Sequence, residues 1–249
     1  MFKHKFSDVI LIIGKDSGIE GLFRQFAKTS LNIGRLFSDS TIKSIKLVVF
    51  TGGEDVHPKL YNGTDCGISM TNIRRDLFER YIFNRCIDNN IKTTGICRGF
   101  QFLNVMAGGF MYQHIEGHAG QSHSITYPNL GISYKATSTH HQLVGLPDSA
   151  LPIAWSTINL SKQYIGMYGK LCEGPSKEIE AAIFPKFNSM GVQFHPEFVG
   201  KLDFSRIHYL NMIEKFLSKD INDFIEEYAI RREANDKKAR KREASDNRD

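Results

Sequence analysis

The sequence predicts an α/β fold: a doubly wound, mostly parallel sheet with helices on both faces and a partly antiparallel second half. Three observations carry this. Short apolar runs at Val9–Ile13 and 46–50 are each followed closely by glycine. Apolar residues between and after these runs recur at helical spacing. The two kinds of segment alternate, which is the pattern of a parallel sheet covered by helices.

Taken in order, Val-Ile-Leu-Ile-Ile at 9–13 is apolar throughout and mostly β-branched, as a strand buried on both faces requires. Ile19, Leu22, Phe23, Phe26 and Ala27 then follow a helical period. Lys-Leu-Val-Val-Phe at 46–50 is a second buried strand. A helix is predicted over about 73–88, with Ile73, Leu77, Tyr81 and Ile82 inward and Thr71 or Asn72 as cap. The segment 92–96 is a strand entering a sharp turn at Cys97. The helix that follows, 98–107, stops at Gly108-Gly109. Beyond residue 125, strand-like segments at 132–137, 151–156, 178–184 and 189–194 form the second half of the sheet. Asp203 caps a last helix with Phe204, Ile207, Leu210, Ile213 and Leu217 inward.

Composition narrows the class. The chain has 249 residues, 41% hydrophobic and 24% charged, which suits a globular protein with a full core and excludes wholesale disorder. A net charge of +5 is too weak to argue for nucleic acid, and none is expected. No apolar run approaches the roughly 20 residues of a membrane span. Basic residues at the start are followed too soon by Lys15 and Asp16 for a cleavable leader, so the chain is expected to be cytoplasmic. Cysteines at 66, 86, 97 and 172 lack Cys-x-x-Cys spacing and read as free thiols. Residues 1–224 are predicted as one catalytic domain, and 225–249 as a charged extension, helical or disordered. From 226 to 249 there are eight basic and seven acidic side chains. Lys237, Lys238, Arg240, Lys241 and Arg242 form its one dense basic cluster. A solvated extension is the plain reading, and a partner dock the sharper one.

Two motifs carry chemistry. Gly95-Ile96-Cys97-Arg98-Gly99 places a nucleophile between a strand and a helix, with glycines on both sides so that the chain can turn sharply. A helix N-terminus favours the thiolate of a cysteine placed there, and the next amide can hold an oxyanion. About 100 residues on comes Gly191-Val192-Gln193-Phe194-His195-Pro196-Glu197. On an extended segment His195 and Glu197 share a face, so the carboxylate can orient the imidazole as base for the thiol. Either motif alone has a structural reading: a buried cysteine packing a turn, or a histidine at a strand end. Together they read as nucleophile, base and orienter.

Gly-Ile-Cys-Arg-Gly-Phe-Gln (95–101) and His-Pro-Glu (195–197) resemble the class I glutamine amidotransferase family, whose fold is flavodoxin-like. Thr51-Gly52-Gly53-Glu54-Asp55-Val56-His57-Pro58 is similar to the signature of its γ-glutamyl-γ-aminobutyrate hydrolase branch, the C26 peptidases. Arg75-Asp76-x-x-Glu79, Leu103-Asn104-Val105, Tyr112-Gln113-His114-Ile115 and His140-His141-Gln142 are similar to that branch too, and the likeness spans roughly 8–218. The resemblance implies that Cys97 attacks the γ-carbonyl of a γ-glutamyl amide, with His195 as base and Glu197 as orienter. It implies an oxyanion hole from the backbone amides of Gly53 and Arg98, and substrate contacts from Gly52, Gln101 and His141. Asp76 and Glu79 read equally as a solvated helix face or as part of the site. His140 and His141 read as substrate-pocket or structural histidines, because no third ligand at suitable spacing accompanies them. No metal and no cofactor are expected.

The leading expectation is hydrolysis of a small-molecule γ-glutamyl substrate, glutamine or a γ-glutamyl amine. The alternative is a glutaminase subunit that feeds ammonia to a separate synthetase, with the charged extension as its dock. A binding protein reusing the fold is disfavoured by the intact Cys97, His195 and Glu197. An α/β-hydrolase is disfavoured because its acid precedes the histidine, whereas Glu197 follows it.

Overall fold

A computed structural model describes residues 8–15, 17–30 and 42–229, and a nine-stranded sheet forms their middle layer. Its strands are β1 (Val9–Ile13), β2 (Lys28–Ser30), β3 (Ile45–Phe50), β4 (Lys92–Ile96), β7 (Gln121–Tyr127), β8 (Ile132–Ser138), β10 (Leu151–Ser156), β13 (Ile179–Phe184) and β14 (Ser189–Val192). Short strands β5 (Phe110–Tyr112), β6 (His114–Ile115), β9 (Leu143–Gly145), β11 (Tyr164–Ile165) and β12 (Leu171–Cys172) pair in two small sheets beside it. The helices are α1 (Ile19–Phe23), α2 (Ile73–Asp88), α3 (Arg98–Met106), α4 (Phe204–Ser218) and α5 (Ile221–Tyr228).

The main sheet runs β2-β1-β3-β4-β14-β13-β10-β7-β8. Every pairing from β2 to β14 is parallel and every pairing from β14 to β8 is antiparallel. Loop length explains the change. Crossovers through α1 and α2 are long enough to return the chain parallel, whereas β7–β8 and β13–β14 are joined by short links that allow only antiparallel neighbours.

Alternation along the first strands divides the core. Ile10, Ile12, Leu47 and Val49 face α1, α4 and α5, while Leu11, Ile13, Val48 and Phe50 face α2 and α3. Each such side chain, wholly buried, contributes about 1.5–3 kcal/mol. The sheet is thus covered by helices on both faces.

Two helices match their apolar spacing only in part: Ile82 on α2 and Ile213 on α4 are buried as expected, and Leu210 and Leu217 pack against the core. On α2, Ile73, Leu77 and Tyr81 are exposed, while Asp76, Glu79, Ile82, Phe83 and Cys86 are buried. On α4, Phe204 and Ile207 are exposed, and Ser205, His208, Tyr209, Met212, Ile213 and Phe216 point inward. In both cases buried polar residues sit on the inner face, where a purely apolar count does not look. The predicted caps are present: Asn72 accepts from the amide of Arg75, and Asp203 from that of Ser205. The first helix ends at Phe23, and the chain then turns into edge strand β2. Strand β7 is an addition to the strands that the sequence predicts. α5 crosses residue 224, with Phe224, Tyr228 and Ala229 buried, so the folded unit reaches at least 229. The charged extension beyond 229 lies outside the described residues, as does the cluster at 237–242. Among the described residues no helix is long and apolar enough to cross a membrane, and the four cysteines are unpaired.

β3, β4 and β14 are neighbours, so the loops at their carboxyl ends meet at one edge, where open α/β sheets bind ligands. The turn after β4 is tight. A Cβ on Gly99 would lie 2.0 Å from the Phe50 carbonyl oxygen, and one on Gly95 2.3 Å from the Gly99 carbonyl carbon. Gly99→Ala is therefore expected to cost about 1–3 kcal/mol, the range for forced overpacking. Gly21→Ala on α1, where a Cβ meets nothing within 4 Å, serves as control and is expected to lose nothing. Urea midpoints of both variants check this.

Candidate active site

Cys97 caps the N-terminus of α3 at φ 52°, ψ −110°, a backbone conformation that a side-chain-bearing residue rarely adopts. Its amide is fixed by a 2.8 Å bond to the Val192 carbonyl on β14. The residue is 8% exposed, and the Gln193 side-chain amide lies 3.6 Å from its sulfur. Gln193 is held in turn by Gln101, whose amide reaches its Oε1 at 3.3 Å. Gln101, expected to touch substrate, thus supports the residue beside the thiol, and it is only 2% exposed.

His195 follows β14. Its Nδ1 donates to Glu197 Oε1 at 2.7 Å, and its ring stacks on Phe198 with centroids 4.3 Å apart. Thr137 on β8 brackets the backbone: its hydroxyl accepts from the His195 amide and donates to the His195 carbonyl, each at 3.0 Å. Burial pulls the imidazole pKa down, but contact with Cys97 and with Glu197 outweighs it and raises the value to about 10.

The Gly-Gly loop completes the edge. A Cβ on Gly52 would come within 3.0 Å of His195 Cε1 and 3.8 Å of the Cys97 Cβ, so the loop backbone lies directly against both. Arg75 straps it. Its Nη2 donates to the carbonyls of Thr51 and Gly52, each at 3.0 Å, and its other nitrogens reach Glu54 and Glu79 at 2.8 and 2.7 Å. A trans peptide points C=O and N–H in opposite directions. With the Gly52 carbonyl taken by Arg75, the Gly53 N–H points away from the guanidinium. Gly53 sits at φ +134°, and a Cβ there would lie 2.2 Å from Arg75 Nη1.

Beneath the turn, the Arg98 guanidinium pairs with Asp76 and Glu79, all three essentially inaccessible to solvent. Asp76 also accepts from the His57 amide at 2.9 Å. The solvated-face reading of Asp76 and Glu79 is overturned: they join α2 to the nucleophile turn and to the Gly-Gly loop. His141 bonds Asp55 at 3.1 Å and approaches His114 at 3.4 Å. The Asp55 carboxylate raises its pKa against the effect of burial.

His140 lies elsewhere. It joins His118, His123, Glu178 and Glu180 in a buried cluster on the antiparallel half of the sheet. Its partners come from 118, 123 and 178–180, too far apart for any spacing rule to find. Two carboxylates two residues apart at the start of an otherwise apolar strand are the available signal. Thr137, Gln193 and Arg75 also gain their roles only from the structure.

A histidine whose folded pKa exceeds its unfolded value of about 6.5 stabilises the fold fully below pH ~6.5 and loses that contribution as pH rises toward 10. His195 is expected to titrate near 10 by NMR. In Cys97→Ala the midpoint is expected to fall, because one of the two raising contacts is gone. An unchanged midpoint would remove Cys97 as a cause.

With this geometry, comparison with known proteins gives a consistent result. The family model for peptidase C26 matches residues 34–163, which include the Gly-Gly loop and the nucleophile turn; His195 and Glu197 lie beyond the match. A glutamine amidotransferase-like protein of Lactococcus lactis, YvdE, is 29% identical over 157 residues, 60% of this chain and 65% of that protein. The first curated relatives are matched over only 29–65% of their own length. Among solved structures, a glutamine amidotransferase from Thermotoga maritima aligns with a TM-score of 0.54 at 16% identity, over 90% of this chain and 85% of that one. A GMP synthase component from Thermoplasma acidophilum aligns with a TM-score of 0.52 at 16% identity, over 86% and 94%. At such identities the structures speak for the fold alone. The chain belongs to the peptidase C26 family, within the class I glutamine amidotransferase-like superfamily.

Proposed function

We propose that the protein hydrolyses a γ-glutamyl amide through a γ-glutamyl thioester on Cys97, releasing glutamate and an amine or ammonia. One observation carries the reading: a cysteine in a strained turn at a helix N-terminus, against His195, which is itself bonded to Glu197 at 2.7 Å. An imidazolium beside a thiol favours the thiolate. The Cys97 sulfur attacks the γ-carbonyl carbon, and the carbonyl oxygen gathers negative charge between the amides of Gly53 and Arg98. His195 gives its proton to the leaving nitrogen, the C–N bond breaks and the thioester remains. Water then attacks with His195 as base, the C–S bond breaks, and glutamate leaves. Glu197 holds Nδ1–H throughout, so the catalytic nitrogen is Nε2. Each oxyanion donor in such a site is typically worth about 2.7–4 kcal/mol at the transition state, which gives Arg75 its importance as the residue that orients the Gly52–Gly53 peptide.

A second reading is a glutaminase that passes ammonia to a separate synthetase. The fold likeness to a GMP synthase component, spanning nearly all of that chain, favours it. The charged extension would then be the dock.

Glutamate release from glutamine and from a panel of γ-glutamyl amines separates the two, with Cys97→Ala as control. Fast cleavage of one amine, with glutamine poor and Cys97→Ala folded but inactive, is expected of a free-standing hydrolase. Weak turnover on every substrate, with Cys97 still open to a glutamine-like alkylating agent, would favour the second reading. Full activity in Cys97→Ala would contradict both.

A further inference from the structure

Glu180 Oε1 is the meeting point of three imidazoles. His123 Nε2 lies 2.9 Å from it, and His118 Nδ1 and His140 Nε2 lie 3.6 Å from it. His118 and Glu180 are 0% exposed, His140 3% and His123 8%.

The tautomers of two of these rings are fixed from behind. His118 Nε2 is 3.1 Å from Glu178 Oε2. That carboxylate also accepts from the amides of Leu160 and Ser161 and from the Tyr164 hydroxyl. A carboxylate bonded in this way only accepts, so His118 carries its proton on Nε2. His140 Nδ1 is 2.9 Å from the Gln142 carbonyl, which also only accepts, so that ring carries its proton on Nδ1. The other nitrogen of each neutral ring is then a lone pair. Both lone pairs face the same carboxylate oxygen, and neither nitrogen has a hydrogen-bond partner. Glu180 Oε2 is unpartnered too.

Lone pairs aimed at an anion repel it unless a cation lies between them. The charge count asks for the same thing. Two carboxylates are wholly buried, and among the described residues neither has a lysine or arginine partner. Buried charge without compensation is costly. The backing bonds complete the pattern, since a metal-bound imidazole ordinarily donates its other N–H to a carboxylate or a backbone carbonyl. Glu178 and Gln142 supply one of each.

We propose that His118, His123, His140 and Glu180 hold a divalent transition-metal ion, and that the ion is zinc. Three imidazoles and one carboxylate suit zinc, whereas magnesium and calcium take oxygen ligands. Ligand atoms of His118, His123 and Glu180 lie within 4.8 Å of one another, and His140 Nε2 lies 3.6 Å from Glu180 Oε1. Four protein ligands leave no open position, which makes the site structural. The ion ties β7, β13 and the segments at 118 and 140 together. β13 and the neighbouring β8 brace His195 from behind: the Glu180 carbonyl accepts from the Gln193 amide at 2.7 Å, and Thr137 brackets His195.

Metal content of the full chain, carrying Cys97→Ala so that no ion resides on the reactive thiol, is the first measurement. About one zinc per chain after exhaustive dialysis is expected. After chelation, Co²⁺ is expected to restore one equivalent of binding with the visible absorption of a four-coordinate nitrogen–oxygen site. The near-ultraviolet charge-transfer band of a thiolate ligand should be absent. His123→Gln is expected to lose the ion. Because that variant can fail for reasons of folding, the melting temperature of the otherwise unmutated chain is read as well, and should rise with added Zn²⁺. Substoichiometric metal, with neither a cobalt spectrum nor a thermal shift, would overturn the proposal and leave protons as the compensating cations. A thiolate band would also overturn it, by placing the ion on Cys66, Cys86 or Cys172.

Discussion

Arg98, shut away from water between Asp76 and Glu79, is the contact on which the site's geometry depends. Charges this deeply buried are tolerated only when paired, and breaking such a pair by removing one partner typically costs about 3–5 kcal/mol. Its position is therefore stringent. Arg98 follows Cys97, so the pairing fixes the start of α3. Asp76 and Glu79 lie on α2, so the pairing also fixes how α2 is rotated. Glu79 carries a second arginine, Arg75, which grips the Gly-Gly loop by two carbonyls. One chain of ionic contacts thus sets the distance between the nucleophile turn and the loop facing it.

The two halves of the sheet divide the work. The parallel half presents Cys97 and the Gly-Gly loop at the carboxyl ends of β4 and β3. β14, the junction strand, is parallel to one neighbour and antiparallel to the other, and it delivers His195. The antiparallel half holds that histidine in place: Thr137 takes both of its backbone groups, and β13 bonds the amide of Gln193. The strained Cys97 conformation persists because both halves fix it, through Val192 on one side and the close glycine contacts on the other.

The sequence makes the frame legible where local rules decide. Val9–Ile13 shows its burial on both faces in every residue, and Gly95 and Gly99 announce a turn too tight for side chains. Cys97, His195 and Glu197 stand out because two short motifs contain them. Local rules fail where a polar residue is buried by a distant partner. Apolar periodicity puts Leu77 and Tyr81 inside α2, because nothing near Asp76 and Glu79 reveals that Arg98 waits for them. The same blindness hides His208 on α4, which bonds Tyr134, and the cluster around Glu180, whose members come together only when the antiparallel half of the sheet assembles β13, β10, β7 and β8. β7 itself escapes prediction because its alternating pattern includes buried His123 where an apolar residue is expected.

The proposed γ-glutamyl thioester on Cys97 is a covalent species, and peptide mass spectrometry detects it. The protein is mixed with a γ-glutamyl amide that it turns over, quenched in acid within the steady state, and digested. A gain of one γ-glutamyl group on the peptide containing Cys97 is expected, labile to hydroxylamine as a thioester is. Turnover with no adduct, or an adduct on any other residue, would contradict the nucleophilic role of Cys97.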